Sequence, residues 1–363
     1  MAILAQCFYD LLSTCWKYLE AIFIDIKGIV MKLKNNYQSK LAILISALFF
    51  QIITPSFAIA EPVVEKETLV KYQTQPGFYR YKLGNYEITS LSDGSVPQDL
   101  HALLKGGSQS EVDQLLTNAH LQSPVEASIN AFLINTGTKI ILVDTGAGGF
   151  FGPGYGGKLI ERLKNIGYGA DQITDILITH VHTDHTGGLV KDGQAAFPNA
   201  TVYIGKADLD FFLNVKNQNG VNGYDKAYFQ QATAALTPYI KLGHITPISG
   251  TKLLFPGVSA MPTPGHTPGH YFYKVESAGK SITFIGDSIH VESVQFPKPE
   301  ITITYDVDQS AAAKQRVTQF ERIAKEGSLI AAPHLPYPGI GYINQATVGY
   351  KFIRAEYHDR EGI

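Results

Sequence analysis

Cysteine is nearly absent from this chain of 363 residues. Its two cysteines, Cys7 and Cys15, both precede residue 60. The stretch after that point therefore has no disulfide, no thiolate nucleophile and no thiolate metal ligand. It spans about 300 residues, long enough for one large domain to bury most of its surface. Charge is also sparse. Only 17% of residues are charged and the formal net charge is -2, which gives no hint of the basic face expected of a nucleic-acid-binding protein. Repeats, low-complexity tracts and linker-like stretches are missing beyond residue 60. A long membrane-spanning run is missing too, since the apolar core Leu41 to Ile53 falls short of the roughly 20 residues a spanning helix needs.

That short core instead reads as part of a secretory signal peptide over residues 31–60. Lys32, Lys34 and Lys40 supply the basic segment, and Ala58-Ile59-Ala60 gives a small-x-small cleavage pattern before Glu61. Residues 1–30 carry Asp10, Glu20, Asp25 and Lys27 among apolar residues. They read as an over-extended start ahead of Met31, or else as an amphipathic leader helix. The expectation is a leader over 1–60 and a single catalytic domain over 61–363, periplasmic or secreted after cleavage near Ala60. Contact with the membrane is then confined to the signal peptide during export, the alternative being a leader retained as an anchor.

What is present is histidine in one place. Thr179-His180-Val181-His182-Thr183-Asp184-His185-Thr186-Gly187-Gly188 sets three imidazoles and a carboxylate within six positions. Before it, Ile173 to Ile178 is an apolar stretch that reads as a buried strand. The cluster thus lies where a strand gives way to a loop, and the glycine pair lets that loop turn. His180 and His182, two apart, can converge on one metal ion, while Asp184 and His185 can face a second. Neutral imidazole with carboxylate is a ligand set for zinc and similar divalent ions. Three further candidates follow at strand ends: His266 in a Pro- and Gly-rich turn, Asp287 after Ser281 to Gly286, and His334 after Leu329-Ile330. His270 reads either as a residue hydrogen-bonding a ligand from behind or as an ordinary surface histidine.

In this order the residues resemble the metallo-β-lactamase superfamily, whose pattern is His-x-His-x-Asp-His, a distant His, an Asp and a last His. The resemblance runs from about Tyr79 to Ile353 and includes Leu142-Val143-Asp144-Thr145-Gly146. It implies an αββα sandwich, two central mixed sheets flanked by helices, with the metal loops along one edge. It further implies that His180, His182 and His266 hold one metal and that Asp184, His185 and His334 hold the other. Asp287 would bridge them, and Asp144 would stand behind as a turn residue. Two divalent ions, Zn2+ first and Co2+, Mn2+ or Fe2+ as alternatives, would share a hydroxide positioned by Asp184 and Asp287 that attacks a carbonyl or phosphoryl centre.

More narrowly the chain resembles the methyl parathion hydrolase group, through Ser128 to Ile134, Phe197-Pro198-Asn199-Ala200, and Ser310 to Ala313 with His334 to Gly341. This implies a small-molecule ester, lactone or phosphotriester as substrate, a homodimer, and an aromatic mouth to which Phe151, Phe212 and Phe229 are assigned. The same rings also fit a plain core role. The glycine-rich run Gly146 to Gly157 is read as a mobile substrate loop. It is not a phosphate cradle, because Leu159 follows Lys158 where a P-loop needs Ser or Thr. Thioester cleavage of the glyoxalase II type stays open. A non-catalytic periplasmic metal-binding protein is the reading from another class, and predicts metal uptake without turnover.

Overall fold

Two seven-stranded sheets are laid down in chain order. The computed structural model describes residues 75–221 and 224–357, so the leader assigned to residues 1–60, with Cys7 and Cys15, lies outside the described residues. The first sheet runs β1 (Phe78–Leu83), β2 (Tyr86–Gln98), β3 (Val125–Asn135), β4 (Ile140–Val143), β5 (Asp175–Leu177), β6 (Thr201–Gly205) and β7 (Ile245–Ile248). The second runs β8 (Lys252–Phe255), β9 (Val258–Pro262), β10 (Tyr271–Ser277), β11 (Lys280–Phe284), β12 (Leu329–Ala331), β13 (Ile340–Gln345) and β14 (Tyr350–Arg354).

Both halves open with antiparallel pairs and turn parallel at the fourth pairing, β4 with β5 and β11 with β12. A parallel pair needs a crossover, usually helical. The crossovers here carry α1 (Leu159–Asn165) in the first half and α4 (Gln309–Glu326) in the second, while α3 (Lys226–Leu242) joins the parallel pair β6 and β7. Another helix, α2 (Lys206–Phe212), precedes α3. Local chemistry fixes the two long helices: α3 begins at Asp225 and α4 at Asp308, whose side chains accept the N–H of Ala227 and Ala311. Each ends on a glycine in the left-handed region, Gly243 and Gly327.

The period-2 rule explains the layers. In β3, Phe132 and Ile134 point into the cluster between the sheets, while Ala131 and Leu133 join the cluster under α1 and α3. In the second sheet Tyr271, Tyr273 and Val275 face inward, and Phe272 faces Phe320 and Ile323 of α4. Strands covered on both faces read as continuous apolar runs, which is how Ile173 to Ile178 announced itself. The result is the α–β–β–α sandwich expected from the sequence. Among the described residues no helix is long and apolar enough to cross a membrane.

Candidate metal centre

The histidine motif leaves β5 and turns at once. His182, still extended, precedes a short helical turn Thr183–Thr186 whose Thr186 returns both its N–H and its hydroxyl to the His182 carbonyl, at 3.0 and 2.8 Å. The following glycines are required by contact rather than by flexibility. A Cβ on Gly187 would fall 2.2 Å from the Ala147 carbonyl oxygen, and one on Gly188 would fall 1.9 Å from that of Thr145. Two loops are thereby pressed together beneath the site.

The seven expected ligands converge from both sheets. Nε2 of His180 and Nε2 of His266 lie 3.0 and 3.1 Å from Nδ1 of His182. Asp287 Oδ2 stands 3.6 Å from His180 Nε2 and 3.4 Å from His266 Nε2. On the other side Asp287 Oδ1 is 3.2 Å from His185 Nε2, and Oδ2 is 3.1 Å from His334 Nε2. Asp184 reaches His185 Nε2 at 3.7 Å and His334 Nε2 at 3.4 Å. The seven expected donors therefore form two groups, His180, His182, His266 with Asp287 and Asp184, His185 with His334, and Asp287 faces both; Asp287 and His334 make a third possible group with His290.

Every inward nitrogen is matched by a held outward one. His180 Nδ1 meets Thr179 Oγ1 at 3.1 Å, His182 Nε2 meets Tyr224 Oη at 3.1 Å and His185 Nδ1 meets Asp144 Oδ2 at 2.9 Å. His266 Nδ1 meets Asp306 Oδ1 at 2.7 Å, and His334 Nδ1 meets the Ser128 carbonyl at 2.8 Å. Such outer partners fix ring orientation and tautomer. Asp144, at a left-handed φ of 58°, also accepts the Thr179 N–H and hydroxyl. It stands behind the donors rather than among them. His270 is buried, not on the surface, and its Nε2 accepts the Asp287 N–H at 3.1 Å.

The donor set fits a pair of divalent cations. Among the described residues His185 Nε2 and Asp287 Oδ1 are buried without a hydrogen-bond partner, and the inward nitrogens of three imidazoles crowd upon one another. Nitrogen and carboxylate oxygen are the donors such ions take. Electrostatics divide the five rings. Burial, reinforced by the neighbouring imidazoles, holds the pKa of His180 and His182 well below the ordinary value, which keeps them neutral. Burial opposes charge at Asp287 too, but the surrounding histidines outweigh it and hold the carboxylate ionised. At His266 burial is likewise outweighed, here by Asp287 and Asp306, which lift the pKa to about 9, and neighbouring carboxylates lift His185 and His334 as well, so these three rings would each give up a proton on binding a cation.

A cavity of about 530 Å3 opens over the donors, with His182, Asp184, Asp287 and His334 in its floor. Phe151 and Tyr155 of the glycine-rich loop, with Tyr228 and Tyr305, supply its rings. Of the three aromatic residues assigned to this mouth, only Phe151 lines it. Phe212 and Phe229 are fully buried. They pack on each other with ring centroids 5.6 Å apart, and Phe212 meets the His182 ring edge-on at 5.7 Å. Both are core residues behind a ligand.

Three residues with a part in the site went unread in the sequence. His290, three after Asp287, is buried with Nε2 3.0 Å from Asp287 Oδ2 and lines the cavity. Burial pushes its pKa down to about 4 against the pull of Asp287. Asp306 supports His266 from 40 residues away. Asp208 ties two ligand loops together, accepting the Val181 N–H and Thr267 hydroxyl at 2.8 Å and the Gly269 N–H at 2.6 Å. Spacing could have flagged His290 alone.

Comparison with known proteins agrees with this fold. The Metallo-beta-lactamase superfamily profile matches residues 125–334. The N-acyl homoserine lactonase of Bacillus thuringiensis is 26% identical over 210 residues, covering 52% of this chain and 74% of that protein. The solved hydrolase AbOPH of the beta lactamase superfamily is 37% identical, with a TM-score of 0.74 over 79% of this chain and 100% of that one. AidC, a dizinc quorum-quenching lactonase solved with the product N-hexanoyl-L-homoserine, is 27% identical, with a TM-score of 0.71 over 78% and 99%. Paired sheets, a buried His and Asp donor set split about one shared carboxylate, and the profile match together make this chain a member of the metallo-beta-lactamase superfamily of hydrolases.

Proposed function

We propose that the chain is an exported, binuclear metal-dependent hydrolase of ester-type bonds, with a lactone or carboxylester as its preferred substrate. The observation that carries this reading is Asp287, placed between two donor groups at the floor of an aromatic-walled cavity. Lactonase relatives support the choice of substrate class. His180, His182, His266 and Asp287 would hold one ion, and Asp184, His185, His334 and Asp287 the other, zinc being the first choice for both. When bound, such ions supply Lewis acidity toward an acyl or phosphoryl oxygen and acidify water at neutral pH.

The chain's own residues do the rest. Phe151, Tyr155, Tyr228 and Tyr305 offer flat apolar surface to an acyl chain or aryl ring and displace water from the floor. The His290 ring forms part of the cavity wall beside Asp287, with both nitrogens buried and Nε2 3.0 Å from Asp287 Oδ2. No side-chain nucleophile is needed, which suits a region without cysteine.

Phosphotriester cleavage is the second reading. It draws on the resemblance to the methyl parathion hydrolase group and on the aromatic walls, which suit an aryl leaving group. The two are separated by kcat/KM of the zinc-loaded chain from Glu61 for dihydrocoumarin and an N-acyl homoserine lactone against methyl paraoxon. A lactone preference of about tenfold, near 1.4 kcal/mol of transition-state discrimination, supports the first reading, and the reverse preference replaces it with the second. Full metal uptake without turnover on either class would leave a metal-binding protein. Export rests on residues 31–60 alone, and N-terminal sequencing of periplasmic protein tests it. The homodimer is tested by light scattering.

A further inference from the structure

His290 stands at the centre without a place in the seven-donor pattern. It follows Asp287 by three residues, past the short helical turn Gly286–Ser288 that succeeds β11, and both residues line the substrate cavity. The backbone there is clamped by Gln295, itself fully buried. Its Oε1 accepts the N–H groups of His290 and Val291 at 2.7 and 3.1 Å, and its Nε2 donates to the Ile301 carbonyl at 3.0 Å. Neighbouring rings set the imidazole. It stacks on His334 with centroids 5.1 Å apart and planes at 15°, and it leans on His266 at 5.1 Å and Tyr305 at 6.0 Å.

A ring placed with this care leaves its polar atoms unused. His290 is only 3% exposed, and among the described residues neither of its nitrogens has a hydrogen-bond partner. Nε2 is 3.0 Å from Asp287 Oδ2, close to the carboxylate yet not in line for a hydrogen bond. His334 Nε2 is 3.1 Å from the same oxygen. The two imidazoles and the carboxylate thus offer donor atoms that all lie within 4.8 Å of one another. Nitrogen and carboxylate oxygen gathered so closely are what a divalent cation takes. Buried polar atoms left unsatisfied are rare in native proteins. Atoms sealed in this way suit an ion lodged among them, not a substrate group reaching in from the cavity.

We infer that His290 is an eighth metal donor, binding through Nε2 the ion held by Asp184, His185 and His334. The inference rests on the binuclear reading of the centre. With Asp287 shared, it gives that ion five protein donors against four for the ion of His180, His182 and His266. The five rings of the expected pattern each have an outer hydrogen bond, whereas His290 Nδ1 has none. Stacking on His334 takes the place of that bond in fixing the ring.

The test uses the purified full chain loaded with zinc or with cobalt. Crystals of the zinc form, read by anomalous scattering at the zinc edge, should show two ions, one of them about 2.0–2.1 Å from His290 Nε2. His290→Phe keeps a ring against His334 and removes both nitrogens. It should weaken the ion at Asp184, His185 and His334 by at least about tenfold, since losing even an outer partner costs that much. The other ion should keep its affinity, as read by stepwise competition with a chelator. In the cobalt form the visible absorption should intensify as one ion passes from five donors to four. Equal weakening of both ions, or of neither, would overturn the assignment. Two ions each more than about 3 Å from His290 Nε2 would do the same, and that crystal decides alone should the phenylalanine variant not fold. Fewer than two ions in the parent chain would overturn the binuclear reading and this inference with it.

Discussion

Removing the Asp93 carboxylate should loosen the loop that forms one wall of the substrate cavity. Asp93 sits at a bulge in β2 and is fully buried. Its Oδ2 accepts the N–H groups of Ala147 and Gly157 at 2.9 and 2.8 Å, and Oδ1 accepts that of Leu159 at 2.8 Å. One carboxylate thus closes both ends of the loop and caps α1, whose own N-cap residue Lys158 offers no side-chain bond. The fit is tight, since a Cβ on Gly146 would fall 2.3 Å from the Asp93 carboxyl carbon. In Asp93→Ala three backbone N–H groups lose their acceptor at about 1–3 kcal/mol each, partly offset by the carboxylate no longer buried. A net loss of about 3–5 kcal/mol follows, or roughly 5–8 °C in Tm for a domain of this size. Asp93→Asn keeps one acceptor oxygen and turns a donor toward an N–H, so it should lose about 1–3 kcal/mol. Because Phe151 and Tyr155 ride on this loop, KM should rise in the asparagine variant while metal content stays that of the parent. Calorimetry and steady-state kinetics read both effects. A lowered Tm with unchanged KM would show that the loop is held by other contacts.

Further outcomes follow from the same geometry. Asp287→Ala should bind fewer than two ions per chain by elemental analysis and lose hydrolysis, and two retained ions would remove Asp287 from its shared position. Asp306→Asn should weaken metal affinity by about 10–100-fold, the usual loss when a histidine's outer partner is changed, with competition against a chelator as the assay. Phe212→Ala should cost about 3–5 kcal/mol of stability as a core truncation, whereas Phe151→Ala should change stability by less than about 0.5 kcal/mol and raise KM. Chelation should lower Tm, by the equivalent of about 2.7 kcal/mol where the free metal had stood at a hundred times its Kd. An unchanged melt with the metals proved absent would refute that.

What was legible in the sequence is what spacing and strand periodicity can encode. His180, His182, Asp184 and His185 follow directly on a buried strand, and the chain supplies His266, Asp287 and His334 at three more strand ends. The partners behind them carry no such mark. Asp208 reaches Val181 across 27 residues and Asp306 reaches His266 across 40, so only the folded chain shows why either is there. The aromatic residues failed for a different reason: an apolar ring fits a rim or a core equally well when taken singly. Periodicity could have decided Phe229, because Phe229, Ala232, Leu236 and Tyr239 form one buried stripe of α3. Phe151 belongs to no helix or strand, and a ring in a glycine-rich loop has no core to enter.

The two halves of the chain meet at the donors, and this bears on stability as well as chemistry. The loop after β5 belongs to the first sheet and brings four of the seven, while the loops after β9, β11 and β12 belong to the second and bring the other three. Asp287 comes from the second half, yet its nearest donors include His180 and His185 from the first. Asp208, from the first half, grips Thr267 and Gly269 of the second. Hydrogen bonds from the fold thus aim the rings before any ion arrives, and that preset geometry favours uptake. The same preset crowding keeps imidazoles and carboxylates buried against one another when no ion separates them. Ion binding would therefore act as a clasp across the sheet edge, adding stability where the two sheets share only loops, while the apolar layer between them holds the fold together with or without it.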